Sequence, residues 1–396
     1  MTTLMKHFKV CFIGAYAYPL LKEGADGPHG GSETALVSHA KSLPKEYDVS
    51  FIVKDFSKSS GDDFKIEKCD RFTVYKRKKT NNRIVNRIKF FFLMKKINAE
   101  IYLTRGASPE LAYITLFAKI LGKKTVYFVA SDIDCDGRYK KNSNLINSHM
   151  DPKKRKYLNV FPKTKFDIWI NGNLYKWGLK KADLIICQNH SQLNLLNQRL
   201  IKSTILKKSI ELPTDRLNQS KKIILWNARC VAWKRPEVFI DLAKKFRNEK
   251  FIMICPPVLG HLNYHKKIQQ LTIQETNIEL IPGLPNLEVK EILKKTKIFV
   301  NTSEFEGDWP VSVLEAMSYE TPILSLSINP DKSLSNNDFG FFCNNDTQQL
   351  KKRLVQLTAN SDLLNKLGQK SLTYLEKQHN PKKISYQLQN IIASLL

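Results

Sequence analysis

The segment Asn301–Leu324, NTSEFEGDWPVSVLEAMSYETPIL, concentrates the residues best suited to chemistry. An apolar run, Ile298–Val300, stops at Asn-Thr-Ser, and an acidic glycine turn follows at Glu306-Gly307. Pro310 then opens an amphipathic stretch that carries Glu315. The pattern predicts a buried strand, a tight turn and a helix start. One carboxylate stands in the turn and the other in the first turns of the helix. Unpaired N–H groups at a helix start favour an anion such as a phosphate. A carboxylate beside them can only accept hydrogen bonds, which suits sugar hydroxyls. Phosphate-facing amides next to hydroxyl-facing carboxylates are what a nucleotide-sugar site requires. An ordinary strand–helix unit with solvated acids is the alternative.

A second cationic motif lies upstream in Lys221–Arg235, KKIILWNARCVAWKR. Ile223–Trp226 reads as a buried strand ending in Asn-Ala-Arg, and Lys234 follows Arg229 with four residues between. Arginine offers a planar fork and lysine a compact point charge, and both suit phosphate. In so basic a chain the pair alone says little. Its position ahead of the glutamate segment gives it weight.

Together the two segments strongly resemble the signature of the retaining GT-B glycosyltransferases of family 4. Ser303, Glu306, Gly307, Leu314, Glu315, Ala316, Met317, Thr321 and Pro322 fit that pattern, as do Arg229 and Lys234. Eight residues separate Glu306 from Glu315, one more than in the family, with Asp308 as the insertion; Ala228 stands where the family has glycine. The resemblance implies an α/β protein of GT-B fold, two Rossmann-like domains facing each other across a cleft. It implies transfer of a sugar from a nucleotide diphosphate sugar to a hydroxyl, with neither metal nor cofactor. Arg229 and Lys234 would hold the diphosphate, Glu306 the donor sugar and Glu315 the ribose. Gly307 and the amides of Val311 and Ser312 would complete donor binding.

The first half matches more loosely. Gly27–Glu33, GPHGGSE, follows the first strand and opens a helix. Glycines let backbone amides approach a phosphate, and Ser32 is the expected N-cap. The family has a Gly-Gly loop here facing the donor phosphate and the acceptor, and Gly30 and Gly31 fit it. His29 reads as a loop histidine. After the strand Thr125–Val129 the family has His-Asp, where this chain has Ser131-Asp132. These two are the acceptor-side candidates. The string from Asp132 to Gly137 imitates a calcium loop, but its twelfth position is Ser143 rather than the required acid. His261 and His265 lack a third ligand and read as surface or groove residues.

The elements that must position these residues alternate between strand and helix, which argues for parallel sheets. Strands are expected at Lys9–Gly14, Val49–Val53, Phe72–Tyr75, Ile101–Thr104, Thr125–Val129 and Leu184–Cys187. The second half adds Ile223–Trp226, Phe251–Ile254, Ile278–Ile281, Ile298–Asn301, Ile323–Ser325 and Gly340–Cys343. The polar stretch Pro213–Lys221 reads as a linker. The expected division is an acceptor-binding domain over 1–215, a nucleotide-sugar domain over 216–380 and a helix over 381–396 crossing back to the first domain.

The chain has 396 residues, enough for two domains, and 42% of them are hydrophobic. No apolar run approaches the roughly 18 residues of a membrane-crossing helix. The start reads as a first strand rather than a signal peptide. Seven cysteines at scattered spacings give neither a disulfide framework nor a metal site, so a reducing cytoplasm is the simplest setting. The net charge of +27 calls for an anionic partner. Residues 76–100 hold nine basic residues against one acid, and residues 138–181 twelve against two. Within the first of these, Arg83–Ile97 places Ile84, Val85, Ile88, Phe91 and Phe92 on one helical face ringed by cations. Such a helix can lie on an anionic membrane or simply pack on its own sheet. The expected acceptor is therefore a glycan or lipid-linked acceptor of cell-surface polysaccharide or glycolipid synthesis. The protein would meet it by peripheral contact at the inner face of the membrane, with no nucleic acid involved. A sugar-nucleotide epimerase or hydrolase of the same fold, or a non-enzymatic anion-binding protein, stays open.

Overall fold

The computed structural model describes residues 8–25, 27, 30–56, 64–78, 80–135, 164–215, 220–258 and 260–396. His29, Asp136, Gly137 and the whole stretch 138–163, which includes Ser143 and much of the second basic cluster, lie outside the described residues.

Short, almost continuously apolar runs must be buried on both faces, and such strands build parallel sheets covered by helices. The chain obeys this twice. The first sheet contains β1 (Lys9–Ile13), β2 (Asp48–Lys54), β3 (Phe64–Cys69), β4 (Phe72–Arg77), β5 (Ile101–Arg105), β6 (Lys124–Phe128), β7 (Leu184–Cys187) and β8 (Ser203–Ile205). Their order is β3-β4-β2-β1-β5-β6-β7-β8. All pairings are parallel except β3 with β4. The second sheet contains β9 (Ile223–Asn227), β10 (Lys250–Ile254), β11 (Ile278–Ile281), β12 (Thr296–Asn301), β13 (Ile323–Ser325) and β14 (Gly340–Phe342). It is wholly parallel, in the order β11-β10-β9-β12-β13-β14.

Both sheets reverse their winding beside their first strand, at β1/β5 and at β9/β12. In doubly wound sheets the crevice beyond the strand ends at such a reversal is where ligands bind. The reversals therefore single out the loops after β1, β5, β9 and β12.

The chain forms two compact units. Among the described residues, the first runs from 8 to 135, from 164 to 209 and from 381 to 396, and the second from 210 to 380. In the first unit, Val10 and Phe12 of β1 point into a core shared with Leu36 of the helix Gly31–Ser42. Ile384, Leu388 and Ile392 of the helix Pro381–Ala393 join the same core. The alternate residues Cys11 and Ile13 face the opposite side, against Phe90, Leu93, Met94 and Ile97 of the helix Arg83–Ile97. In the second unit Ile224 and Trp226 of β9 face one side with Phe239 and Phe251, while Leu225 faces the other with Trp309 and Leu314.

All seven cysteines are free and buried. Burial pushes the Cys11 and Cys187 thiols up to about 12 and that of Cys343 to about 11. No described helix is long and apolar enough to cross a membrane.

Candidate functional site

In the second unit, β9 runs out into Ala228, Arg229 and a single helical turn, Ala232–Lys234. Arg235 closes that turn at φ 50° and starts the helix Pro236–Lys245. Next to it, β12 runs out into Thr302–Trp309, and the helix Val311–Ser318 follows with Pro310 as its N-cap. The two loops are stitched together. Trp226 Nε1 donates to Thr302 Oγ1 at 2.8 Å, and Thr302 Oγ1 donates to the Lys234 carbonyl at 2.6 Å. The Glu304 amide donates to the Trp233 carbonyl at 2.8 Å. The rings of Trp233 and Phe305 stack with centroids 5.9 Å apart. These side chains, absent from the motif reading, fix the loops from which the charged residues project.

Lys234 Nζ makes an ion pair with Glu306 Oε1, both side chains being largely shielded from water. Arg229, by contrast, is exposed, and among the described residues no hydrogen bond or ion pair holds its guanidinium. The structure thus brings Lys234 to Glu306 and leaves Arg229 unrestrained at the mouth of the same loop. The longer turn does not turn Glu306 away. Its extra length goes inward, with Gly307, Asp308 and Trp309 buried and Trp309 Nε1 donating to Ser333 Oγ at 3.0 Å.

At the start of the helix Val311–Ser318, the amides of Val313 and Leu314 both bond back to the Pro310 carbonyl. Those of Val311 and Ser312 have no intrahelical partner and remain as donors for an anion. Glu315 lies one turn on. Burial pushes its carboxyl up to about 7, with Lys290 pulling weakly the other way. It therefore changes charge near neutral pH.

In the first unit, Gly30 is the extended N-cap of the helix Gly31–Ser42, with φ −151°. Ser32 lies inside the helix and is not the N-cap, a correction to the sequence reading; the cap sits two residues earlier, at Gly30. A Cβ at Gly31 would meet nothing within 4 Å. The fold thus places no demand for glycine there.

Ser131 and Asp132 follow β6. Asp134, which the sequence reading passed over, organises this turn. Its Oδ2 accepts from the amides of Ala130 and Ser131 at 2.8 and 3.0 Å, and its Oδ1 accepts from Ser131 Oγ at 3.1 Å. Burial raises its carboxyl against the pull of those donors. Asp132 Oδ1 accepts from Gln192 Nε2 at 2.9 Å. The chain of polar groups continues from Gln192 through Gln188 to Arg105, at the end of β5. Its place just after the apolar run Ile101–Thr104 was the only sequence signal available for Arg105.

His261 and His265 are buried, not surface residues. Their spacing fixes a shared helical face but not its direction, and here that face turns inward, with His261 edge-on to Trp233 at 6.2 Å. Among the described residues no three His, Cys, Asp or Glu side chains gather as a metal site would need.

No curated protein sequence matches the chain. Solved structures do. Sucrose-phosphate synthase from Thermosynechococcus elongatus superposes with a TM-score of 0.71 at 12% identity, over 98% of this chain and 99% of its own. Alr3699/HepE from Anabaena, in complex with UDP-glucose, gives 0.71 at 13% identity, over 98% and 100%. TarM from S. aureus, in complex with UDP, alpha-GlcNAc-glycerol and Fondaparinux, gives 0.58 at 17% identity. That match covers 77% of this chain and 58% of TarM's. The chain accordingly has the GT-B fold, and residues 209–373, which include Lys234, Glu306 and Glu315, match the family model of the glycosyl transferases group 1.

Proposed function

We propose that the protein is a retaining glycosyltransferase of family 4. It would move a hexosyl or related sugar from a nucleotide diphosphate sugar to a hydroxyl of a glycan or lipid-linked acceptor. The observation that carries the reading is the Lys234–Glu306 pair, which joins the loops after β9 and β12 at the winding reversal of the second sheet, the second loop leading into the helix that Val311 and Ser312 open. The pair supplies one cation for the diphosphate and one acceptor for sugar hydroxyls, already held close together. Arg229, exposed at the same loop, would swing onto the diphosphate. As the glycosidic bond breaks, negative charge grows on the departing phosphate, and preorganised cations stabilise it most in that state. These cations and the helix amides provide the positive charge for leaving-group departure without a metal.

Glu306 would hold the donor sugar through its hydroxyls, and Glu315 would accept from the ribose. Gly307 would complete donor binding beside them. Gly30 and Gly31 would admit a phosphate or the acceptor at the first unit's helix start, with Ser131 and Asp132 on the acceptor side. No side chain stands out as a nucleophile, which suits departure and attack on the same face of the sugar. The neighbours that carry UDP or UDP-glucose in their crystals are consistent with such a donor. The basic first unit suits an acceptor in cell-surface polysaccharide or glycolipid synthesis, reached by peripheral contact with the inner face of an anionic membrane.

The test is a panel of nucleoside diphosphate sugars. A donor that binds only the folded chain raises its melting temperature, and release of its nucleotide should depend on added acceptor. Release without acceptor would point to a hydrolase. Absence of stabilisation by every donor would overturn the reading.

A further inference from the structure

We infer that the outer surface of the helix Arg83–Ile97, together with the helices Glu110–Ile120 and Lys165–Lys181 beside it, is a docking face for an anionic lipid bilayer. The helix Arg83–Ile97 meets its packing obligation with Phe90, Leu93, Met94 and Ile97, which are buried against the first sheet. A helix that packs through one stripe should be polar on the other side. Here the other side carries Ile84, Ile88 and Phe92, spaced four apart and 65%, 52% and 58% exposed. The sequence reading placed these residues on one face; that face is turned to solvent.

The neighbouring helix continues the pattern. It adjoins the first through Phe91 and Phe117, with centroids 5.4 Å apart, and through Arg87, which lies over the Tyr113 ring at 4.1 Å. Leu116 and Ile120, again four apart, are exposed on it. The helix Lys165–Lys181 crosses close by at Gly178, where a Cβ would lie 2.7 Å from the Ala112 nitrogen. Near its start Phe166 and Trp169 stack at 6.1 Å, with Trp169 64% exposed. All three helices cover the same face of the sheet.

Charge selects the occupant. The helix Arg83–Ile97 contains no acid, and Arg83, Arg87, Lys95 and Lys96 are exposed around its apolar stripe. Lys76 and Arg77, which the sequence groups with them, are spent inside the fold on Glu67 and Glu110, at 2.6 and 2.5 Å. Aliphatic and aromatic side chains rimmed by cations match the boundary between acyl chains and phosphate headgroups. Nucleic acid would be met by the cations but offers nothing to two isoleucines on a convex helix. The inference shares the membrane contact proposed above and is independent of the donor chemistry.

The experiment is flotation of the full chain with phosphatidylcholine vesicles, with and without phosphatidylglycerol, across a salt series. Wild type should float with the anionic vesicles at low salt and fall away as salt rises. The variant Ile84→Ser/Ile88→Ser/Phe92→Ser should lose binding by about tenfold or more, because the lost apolar area no longer enters the bilayer. Arg83→Gln/Lys95→Gln should weaken binding and flatten the salt dependence. Val355→Ser/Tyr386→Ser, which removes exposed apolar residues elsewhere, should float as wild type does. All should keep the wild-type melting temperature, since none of these side chains is buried. If wild type and the triple serine variant float equally, the face is wrong although membrane contact stands. If wild type does not float, or if these residues mediate only self-association or RNA binding, both are overturned. Thermal stabilisation by a donor sugar, measured in parallel, tells either failure apart from a failure of the catalytic reading.

Discussion

Glu315 offers the sharpest test of the second unit's chemistry. Burial raises its folded-state value from 4.5 to about 7. The neutral form is therefore the one the fold prefers. Its contribution to stability is complete below the unfolded value and is lost as pH rises through the folded value, where the fold must hold a desolvated carboxylate. Taking those two values, the loss between pH 5.5 and pH 8.5 is about 2 kcal/mol. Glu315→Gln keeps the shape and cannot ionise. The stability difference between variant and wild type should therefore move by about 2 kcal/mol in favour of the variant over that range, or roughly 4–8 °C in melting temperature for a unit of this size. The assay is a pair of thermal or denaturant series at several pH values, following the transition that a donor sugar stabilises. Subtracting the two curves removes the titration of other groups. The same ionisation should show in binding. If the carboxylate accepts from ribose, wild-type donor affinity should rise about tenfold from pH 6 to pH 8, and the variant's should stay level. Parallel stability curves for variant and wild type would refute the argument that Glu315 is held neutral by burial.

Three further outcomes follow from the site. Arg229→Ala and Lys234→Ala should each lower turnover by about 10²-fold, the scale of a lost transition-state donor. The exposed Arg229 should leave stability within about 0.5 kcal/mol, whereas Lys234→Ala should lower it measurably by stranding Glu306. Near-wild-type turnover in both would remove them from the mechanism. Glu306→Gln should depress the transfer step more than donor binding, read by single-turnover rates against donor dissociation constants; wild-type rates would end its assigned role. Gly31→Ala should melt with wild type, since its Cβ meets nothing, but should slow turnover by crowding an approaching phosphate or acceptor; full activity would make the glycine pair an ordinary turn.

Fold class was legible because a buried parallel strand announces itself as a short apolar run. All six expected strands of the second sheet are present. The strands that escaped are at the edges. Phe64–Cys69 carries Lys65, Glu67 and Lys68, as an edge strand half-facing water can, and reads as polar chain. Ser203–Ile205 has only three residues. Side-chain direction was harder. The spacing of His261 and His265, and of Ile84 and Ile88, defines a face but not whether it turns inward; that depends on which neighbouring stripe claims the core. In the site, residue type and spacing marked Lys234, Glu306 and Glu315. Nothing local could reveal that Lys234 pairs with Glu306, since that contact spans 72 positions and exists only because β9 and β12 are adjacent. Asp134 was overlooked for Asp132 because both are acids in one turn, and only burial separates the capping carboxylate from its neighbour.

The seven buried cysteines turn the native chain into its own reporter. A thiol reacts as thiolate, and those at Cys11, Cys187 and Cys343 are held protonated as well as out of reach. A water-soluble maleimide should therefore label the folded protein hardly at all and mark each opening event instead. Cys11 and Cys187 belong to the first unit, while Cys230, Cys255 and Cys343 belong to the second. Mass spectrometry of the labelled peptides can thus time the opening of each unit separately. A single cysteine introduced at an exposed position would be the one reactive thiol of the native state, so a fluorophore could be attached at a chosen place without first removing any native residue.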